Sequence, residues 1–467
     1  MSAPEGTRFG ADPAEAEEFL ARHPEIEAID IVLVDVHGIG RGKIVRRHEL
    51  LQIYREGRHL PSSILGLDVV GEDVEETGLV WQVGDADRRA WPVPGTLVPM
   101  PWTSPARAQV LLAMHHLDGT PVGSDPRHAL RRHLADFRRR GLAPAGAFEL
   151  EFYLLDPEPG PDGRPRPARA ALDGRRSEGT NVYGLEELDG QQPLFAEIYR
   201  AAAAQGLPLE TLISEYAPGQ YELTLHYRHD LERAADDLVM LKRIVRGIAR
   251  RHQAVACFMP KPFADYAGSG MHLHVSLVDG EGRNVFSEAP GADLPETIRH
   301  AIGGLAATMG EAMLVFAPHA NSWRRFVARS YAPVAPSWGT NNRSVALRVP
   351  AGTIAARRIE HRPAGVDANP HLVAATVLAG IAHGLDSRVD PGPAVGGDGY
   401  DADAASPFPR LPRDWREAIE RARGSTFLQA ALGEEMHRVL VAVADSEWHR
   451  VAATVDALDF RLYLHNV

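Results

Sequence analysis

The sequence predicts an α+β protein with two domains of unequal size, a small mixed β domain followed by a larger α+β domain. A chain of 467 residues exceeds the usual size of a single domain. Short apolar, strand-like runs dominate up to about residue 115, whereas helices with apolar residues at helical spacing begin near residue 126. An apolar share of 44% and a charged share of 24% are those of an ordinary globular protein, so a large core can form.

The N-terminal part is expected to contain a helical lead-in over residues 1–25 and the small β domain over residues 26–118. Within this domain, the apolar run 28–35 predicts a buried strand, and a glycine-containing turn leads from it to a second strand from residue 41, which makes a hairpin. Further strands are predicted over 78–83 and 108–114 because both runs are apolar.

The larger domain is expected to span residues 119–467. A basic amphipathic helix is predicted over 126–140, ended by Gly141, and a helix over 231–252 is predicted from the spacing of its apolar residues. Helices over 415–423 and 428–443 are expected to close the chain. Stretches rich in proline and glycine at 157–179 and 390–412 predict surface loops.

Short strand-like stretches of the larger domain carry an unusual set of metal-ligating side chains, namely Glu149, Glu151, Glu215, Glu222, His272 and Glu360. Alternate side chains of a strand share a face, so Glu149 with Glu151, and His272 with His274, would point the same way. Carboxylates that converge repel each other unless cations neutralise them, and hard divalent metals accept oxygen and imidazole ligands. The pattern predicts a multi-metal, phosphate-handling site. A solvent-facing strand edge is the simpler alternative for Glu149 and Glu151, and a single strand histidine is more often structural.

Arginines supply a second candidate set, in the segments 321–326, 341–350 and 357–362. Guanidinium groups bind carboxylates and phosphates with two parallel hydrogen bonds, which suits a substrate that carries both. For Arg324 and Arg357 surface charge is the better interpretation, because each has a neighbouring arginine better placed to face inward.

Charge and cysteine content exclude several classes of protein. A formal charge of -12 argues against non-specific binding to nucleic acid. Cys257 is the only cysteine, so no intrachain disulfide can form, and a small buried hydrophobe is the expected role of this residue. The N-terminus shows no secretory signal and the longest apolar run, 372–385, is too short to span a membrane, so a cytoplasmic protein without a membrane partner is expected.

Five motifs together resemble the glutamine synthetase family: Glu-Leu-Glu-Phe-Tyr from residue 149, Pro-Gly-Gln-Tyr-Glu from 218, Ala-Gly-Ser-Gly-Met-His from 267, Asn-Arg-Ser-Val-Ala-Leu-Arg from 342 and Arg-Ile-Glu from 358. The resemblance runs over nearly the whole chain in the family's order. It implies a β-grasp-like N-terminal domain and a C-terminal catalytic domain with a curved antiparallel sheet flanked by helices. Segments 61–68, 75–79, 331–334 and 337–343 are most similar to the subgroup of gamma-glutamylputrescine or gamma-glutamylpolyamine synthetases, which join glutamate to an organic amine.

The resemblance implies a role for each candidate residue. Glu151, Glu215 and Glu222 would bind one Mg2+ or Mn2+, and Glu149, His272 and Glu360 would bind a second. Arg325, Arg343 and Arg362 would act in catalysis and grip the glutamate, with Gly268 near its amino group and Tyr331 at the amine side. His274, Ser276, Arg348 and Arg358 would serve ATP.

The implied activity is ligation of the glutamate γ-carboxylate to an amine through γ-glutamyl phosphate, formed at the expense of ATP. An alkylammonium of pKa roughly 10.4 must first lose a proton, which costs roughly 4–5 kcal/mol near neutral pH. Ammonia-using members of the family place two acids at the ammonium site, whereas the aligned positions here are Leu60 or Pro61 and Tyr331. Losing both acids leaves a less polar space for a carbon-bearing amine. A different alignment of these loops, with another acid in place, is the alternative.

The family also implies a homo-oligomer, a dodecamer of two hexameric rings in which the small domain of one subunit completes its neighbour's site. Two other functions compete with the amine ligase. One is a glutamine synthetase that uses ammonia, and the other is a non-catalytic sensor or structural assembly. Competent residues at all six ligand positions argue against the second.

Overall fold

The computed structural model describes residues 9–287, 294–404 and 406–467. From residue 9 onward, the N-terminal unit contains two helices and six strands: α1 (Pro13–Arg22), β1 (Ala28–Val34), β2 (Gly40–Arg46), α2 (Leu50–Glu56), β3 (Arg58–Pro61), β4 (Asp87–Pro92), β5 (Val98–Met100) and β6 (Arg107–His115). The predicted strands over 28–35 and 108–114 and the predicted hairpin are confirmed. Of the predicted lead-in helix, residues 13–22 are helical, and residues 1–8 lie outside the described part.

The six N-terminal strands form one mixed sheet in the order β2-β1-β6-β4-β3, with β5 beside β6. Strand β1 runs parallel to β6, and the other pairs are antiparallel. Phe19 of α1 and Ile53 of α2 pack into one buried cluster with Ile31 of β1 and Met114 of β6. The helices therefore cover one face of the sheet, which is the expected β-grasp-like arrangement.

The predicted strand over 78–83 is wrong. Residues Trp81–Val83 form a 3₁₀ turn, and a second such turn covers Glu75–Thr77. Gly78 and Gly84 enclose the run with left-handed φ values of 73° and 62°. Because a left-handed residue turns the chain, the apolar run between them cannot stay extended.

The C-terminal unit contains ten helices and eight strands within the described ranges: α3 (Pro126–Arg139), β7 (Leu142–Leu155), α4 (Leu185–Gly190), α5 (Gln192–Ala204), β8 (Leu209–Ser214), β9 (Gln220–Leu225), α6 (Leu231–Arg251), β10 (Val255–Cys257), β11 (Leu273–Asp279), α7 (Glu296–Phe316), β12 (Trp338–Thr340), β13 (Leu347–Val349), β14 (Ile359–His361), α8 (Pro370–Ser387), α9 (Trp415–Gly424), α10 (Thr426–Leu432), α11 (Glu434–Ala453) and α12 (Ala457–Tyr463). The helices predicted over 126–140, 231–252 and 415–423 are confirmed. Cys257 is buried, as expected.

The strands of this unit form an eight-stranded sheet in the order β12-β13-β14-β11-β7-β9-β8, with β10 pairing with one end of β7. Every pair is antiparallel except β12 with β13, so the predicted antiparallel sheet has one parallel pair at its edge. Strand β7 contacts β11 and β9 along its length. It is therefore the central strand on which the candidate site depends.

The two faces of β7 differ sharply in chemistry. Phe148, Leu150 and Phe152 are fully buried in the core that this sheet shares with helices such as α6. Glu149 and Glu151 alternate with them and therefore lie on the opposite face. The helices stabilise one face of the sheet, and the other face is left to polar residues.

Two further expectations about local structure are wrong. The single helix predicted over 428–443 is broken at Gly433, where a φ of 81° ends α10 before α11 begins. Glu215 and Glu222 were both expected in strand-like stretches, but Glu215 follows β8, a turn intervenes with Gly219 at φ 72°, and only Glu222 lies in a strand, β9. In both places a left-handed glycine reverses or interrupts the chain. Within the described ranges, no helix is long and apolar enough to cross a membrane.

Gly146 allows β11 to approach β7 closely, and its replacement by alanine is expected to destabilise the fold. A Cβ at this position would lie 2.5 Å from the carbonyl oxygen of His274 and 2.8 Å from Leu231 Cδ1. Gly146→Ala should lower the free energy of unfolding by about 1–3 kcal/mol because the strand cannot move without breaking its ladder. Urea unfolding measures this loss. Gly179→Ala, with open space around the added carbon, should change stability by less than about 0.5 kcal/mol, and equal effects of the two variants would contradict the account.

Candidate active site

The polar face of the large sheet brings acidic and imidazole side chains from four strands together. Glu151 of β7 lies directly opposite Glu222 of β9 in the strand register. The backbone of β7 also joins the segment that leads into β11, since the Glu149 N–H donates to the His272 carbonyl. Glu360 of β14 pairs with His274 of β11. Neighbouring strands therefore place these side chains side by side.

Glu149, His272 and Glu360 form the first group with metal-binding geometry. One candidate ligand atom from each lies within 4.8 Å of the others. His272 Nδ1 is 2.9 Å from a Glu149 oxygen and 3.7 Å from a Glu360 oxygen. This group has the same three members as one of the two ligand sets expected from the sequence.

Glu151, Glu222 and His272 form the second group, again with ligand atoms within 4.8 Å of one another. His272 Nε2 lies 3.9 Å from Glu151 Oε1, so the two nitrogens of one imidazole face the two groups. Glu215, expected in this set, is not among the three, although it is close enough for the charge of Glu151 to raise its pKa. Its position in the turn after β8 leaves it beside the group.

Electrostatic repulsion within this cluster is strong. Burial, with the charges of Glu149 and Glu151, raises the pKa of Glu222 well above its usual range. Burial and Glu151 raise the pKa of Glu215 to about 7. Carboxylates in this state gain most from a cation, which replaces the repulsion with attraction. The donor set of carboxylate oxygens and one imidazole fits Mg2+ or Mn2+.

Glu149 and Glu360 are held ionised by neighbouring cationic groups. Burial works against the charge of Glu360, but Arg362 and His274 hold its pKa at about 2. Burial likewise opposes the charge of Glu149, and His274 and His272 hold its pKa well below the usual range. Both groups are therefore anionic and ready to bind a cation at any physiological pH.

The arginines expected near substrate occupy three different settings. Arg362 and Arg348 both donate to Glu360, the latter over 2.8 Å, so both guanidinium groups flank the candidate metal ligands. Arg325 is 4% exposed and donates to the Pro363 carbonyl over 3.1 Å. Arg343 is exposed, with its charge beside Glu215. Arg324 is exposed, as expected of surface charge.

Gly268 and Tyr331 lie at the edge of the same site. A Cβ on Gly268 would meet Arg325 Cγ at 2.5 Å, so only glycine allows this guanidinium stem to pass. Tyr331 is half exposed with φ 61°, and its ring centroid lies 5.6 Å from that of Tyr216. The two hydroxyl oxygens are 3.5 Å apart. The pair makes an aromatic wall beside Glu215, and Tyr216 has no signal in the sequence that marks it.

A cavity of about 920 Å3 opens next to the candidate metal ligands. Its walls include Glu149, His274, Ser276 and Arg358. Arg358 Nε donates to His274 Nδ1 over 3.0 Å, so the other nitrogen of His274 carries the proton that faces Glu149 at 2.8 Å. The cavity is therefore connected to the metal-binding groups by a chain of direct contacts.

Several walls of this cavity were not expected from the sequence. Tyr227, Asn284 and Thr353 line it from loops. Arg357, expected to be surface charge, is half-buried and also lines it. Arg348, expected to serve the nucleotide, is outside these walls and points to Glu360 and to Asn341. Leu60 is fully buried in the N-terminal core, so Pro61 is the member of that pair with side-chain exposure.

The fold and this site define a candidate divalent-metal enzyme, and comparison with known proteins identifies the family. Residues 123–463 match the sequence profile of the glutamine synthetase catalytic domain. The chain belongs to the glutamine synthetase family, whose members depend on ATP and divalent metals.

Two of the relatives are named as enzymes that join glutamate to an amine. The chain is 37% identical to gamma-glutamylputrescine synthetase of Escherichia coli, with 95% of this chain and 93% of that protein covered. It is 32% identical to glutamate–isopropylamine ligase of a Pseudomonas species, with 87% of each chain covered. A solved structure of GmaS in complex with ADP superimposes with a TM-score of 0.82 and 27% identity over 96% of this chain and 98% of that one.

Proposed function

We propose that this protein is a glutamate–amine ligase that uses ATP to join the glutamate γ-carboxylate to an organic amine. A carboxylate is too weak an electrophile for amine attack, so phosphoryl transfer from ATP must first give γ-glutamyl phosphate, and the amine then displaces phosphate. The observation that carries the proposal is a pair of candidate metal groups that share His272, one of which lines a cavity of about 920 Å3 through Glu149. The proposed preference for an organic amine rests on the relatives and on the aromatic wall of Tyr216 and Tyr331.

Two divalent cations, Mg2+ or Mn2+, would be held by the clustered acids. Glu149, His272 and Glu360 are suited to the cation nearest ATP because Glu149 lines the cavity. Glu151 and Glu222, with Glu215 close by, are suited to the cation that faces glutamate. When bound, such cations neutralise the charge that develops during phosphoryl transfer. The acids themselves are positioned by the sheet, so they need little reorganisation.

ATP would occupy the cavity and place its phosphates against the metal groups. Arg358 and His274 form a continuous contact from the cavity to Glu149. Ser276, on the same strand as His274, offers a hydroxyl at the cavity wall. Arg348 lies beside Glu360, where its charge can stabilise the phosphoryl group in transfer rather than contact the nucleotide base of ATP.

Glutamate would be bound between Arg325, Arg343 and Arg362. Burial lowers the pKa of Arg325, but its guanidinium stays charged. A buried guanidinium attracts the carboxylate of a ligand more strongly than an exposed one does, because water screens it less. Gly268 lies against Arg325, so the amino end of the substrate can approach the backbone there. Arg362 contacts both Glu360 and the Tyr331 carbonyl, at 3.5 Å for the latter, and so joins the glutamate and amine sides of the site.

The amine would enter along Tyr216 and Tyr331. Aromatic faces bind both the apolar carbons of an organic amine and its cationic form. An ammonium ion has no carbon to bury, so this wall favours alkylamines over ammonia.

Tyr331→Glu is expected to shift preference towards ammonium. The new carboxylate attracts a small cation and removes one aromatic face, so the ratio of ammonium to alkylamine activity, as kcat/KM, should rise at least about tenfold. Tyr331→Phe keeps the ring and should leave the ratio close to that of the wild type. An unchanged ratio in Tyr331→Glu would show that Tyr331 does not face the amine.

A phosphate-release screen tests the proposed function as a whole. Purified protein is supplied with glutamate, ATP and Mg2+ and with single amines, including ammonium, putrescine, longer polyamines, ethanolamine and isopropylamine. We expect release that depends on an organic amine and exceeds release with ammonium. Equal or greater activity with ammonium would favour a glutamine synthetase, and no release with any amine would favour a non-catalytic assembly.

The working form is proposed to be a homo-oligomer in the cytoplasm, a dodecamer of two hexameric rings. Of Leu60 and Pro61, the two residues that could align with the small-domain acid of ammonia-using enzymes, only Pro61 is partly exposed. Exposure suits a residue that faces the site of a neighbouring subunit. Light scattering coupled to gel filtration tests this, with a mass near twelve chains expected and a monomer contradicting it.

A further inference from the structure

A third group of metal-ligating side chains lies outside the active site, where the N-terminal sheet meets the C-terminal unit. Its members are His37 in the β1–β2 turn, His319 after α7 and Glu447 in α11. One candidate ligand atom from each lies within 4.8 Å of the others. His37 and Glu447 are 7% and 6% exposed, so three distant segments of the chain place these polar groups in the interior.

These side chains continue into a chain of contacts that ends in a second carboxylate. His37 Nδ1 lies 2.9 Å from His319 Nε2, and the other nitrogen of His319 lies 2.7 Å from Asp367. At the opposite end, His37 Nε2 is 3.2 Å from Glu447 Oε1. The order is therefore carboxylate, imidazole, imidazole, carboxylate.

Counting protons shows that this series of side-chain contacts is one proton, and therefore one positive charge, short. Its three contacts need three shared protons, but two neutral imidazoles supply only two. If His319 donates to Asp367 and His37 donates to His319, the lone pair of His37 Nε2 is left facing the Glu447 oxygen. His37 Nε2 is indeed buried without a hydrogen-bond partner in the described structure, and Glu447 already accepts the Val69 N–H over 2.7 Å. An unpaired buried lone pair beside a carboxylate is costly.

We propose that His37, His319 and Glu447 bind a divalent cation, with Zn2+ as the ion that best suits two imidazoles and one carboxylate. A tetrahedral Zn2+ with bonds of 2.0–2.1 Å sets its donors about 3.3 Å apart, and His37 Nε2 and Glu447 Oε1 are 3.2 Å apart. The Nε2 lone pair of His319 would turn from His37 Nδ1 to the cation. The second nitrogen of His319 would go on donating to Asp367, the kind of partner that metal-bound histidines commonly have. Water would complete the coordination.

The position of this site gives the cation a structural role. His319 and Ser322 both contact Asp367, and Ser322 opens the 3₁₀ turn that ends in Arg325. His37 lies in the turn between β1 and β2 of the N-terminal sheet, and Glu447 accepts the backbone N–H of Val69. A cation here would join the N-terminal unit, the C-terminal helix α11 and the turn of Arg325.

Metal content of the full-length protein tests the proposal. Protein purified without an affinity tag is dialysed against excess Mg2+, which fills the active site, and is then titrated with Zn2+ and analysed by mass spectrometry for metals. We expect one tightly held Zn2+ per chain. His37→Asn and His319→Asn should each lose this equivalent, whereas His48→Asn, at an exposed histidine, and the active-site variant Glu360→Gln should keep it.

A second measurement needs no variant, so a failure of His37→Asn to fold cannot hide the answer. Co2+ bound to the Mg2+-saturated wild type should give the intense visible bands of a four-coordinate ion, and one equivalent of Zn2+ should abolish them. Wild-type protein that holds no Zn2+ and gives no such bands would overturn the proposal, as would a folded His37→Asn variant with unchanged Zn2+ content. In either case the series of contacts between Asp367, His319, His37 and Glu447 holds an extra proton in place of a metal.

Discussion

Glu360→Gln is expected to reduce turnover at least about 1,000-fold. Glu360 is buried, belongs to the group formed with Glu149 and His272, and accepts hydrogen bonds from Arg348 and Arg362. Glutamine keeps the size of the side chain but removes the charge that would bind a cation and that orders both guanidinium groups. A loss of about 4 kcal/mol in transition-state stabilisation corresponds to this factor.

Two measurements separate this effect from misfolding. Steady-state phosphate release gives kcat, and electron paramagnetic resonance counts bound Mn2+, which should fall by one equivalent in Glu360→Gln. Glu186→Gln changes an exposed glutamate of α4 and should match the wild type in both. Wild-type turnover in a folded Glu360→Gln variant would refute the assignment of Glu360.

Arg325→Lys is expected to lower kcat/KM for glutamate at least about 100-fold. The Arg325 guanidinium is buried, held by the Pro363 carbonyl, and passes Gly268 at close range. Lysine keeps the charge but cannot make two parallel hydrogen bonds to a carboxylate in this fixed direction. The Kd for ATP should stay within about twofold, because Arg325 does not line the cavity in which we propose that ATP binds.

The neighbouring residue provides a matched control. Arg324 is exposed on the same turn, and Arg324→Lys should leave both parameters unchanged. Isothermal titration with ATP and initial rates over a range of glutamate concentrations measure the two quantities. Equal losses in Arg324→Lys and Arg325→Lys, or a loss confined to ATP binding, would contradict the assignment to glutamate.

Local sequence patterns predicted most elements but not where glycines change the direction of the chain. The alternation of Glu149 and Glu151 with buried apolar residues identified the strand and its polar face, because one face of β7 packs on helices. The same reasoning failed at 78–83 and at Gly433, where left-handed glycines interrupt runs of suitable composition. A glycine permits a left-handed φ without requiring it, so its presence alone does not show where the chain turns.

The sequence predicted which residues belong to the site where neighbouring strands bring them together. It did not predict the residues that loops or side-chain contacts bring there. Glu149, His272 and Glu360 converge because β7, β11 and β14 are neighbours in the sheet. Arg348 turns to Glu360 instead of the cavity, and Tyr216 reaches Tyr331 from a different segment. Such pairings depend on packing in three dimensions and leave no periodic trace in the chain.

The third group of candidate metal ligands shows most clearly what local sequence patterns cannot predict. His37, His319 and Glu447 come from segments hundreds of residues apart, and each alone is an ordinary polar residue. Their burial together depends on how the N-terminal sheet docks against α11, which no local pattern predicts. Only the missing proton in their chain of contacts indicates a ligand.

Anomalous diffraction from crystals grown with Mn2+ and a non-hydrolysable ATP analogue tests the central claim most directly. The account predicts two Mn2+ peaks, one bounded by Glu149, His272 and Glu360 and one beside Glu151 and Glu222, with the analogue's phosphates next to the first. Mn2+ peaks elsewhere, or an analogue bound outside the cavity that His274 and Arg358 line, would contradict it.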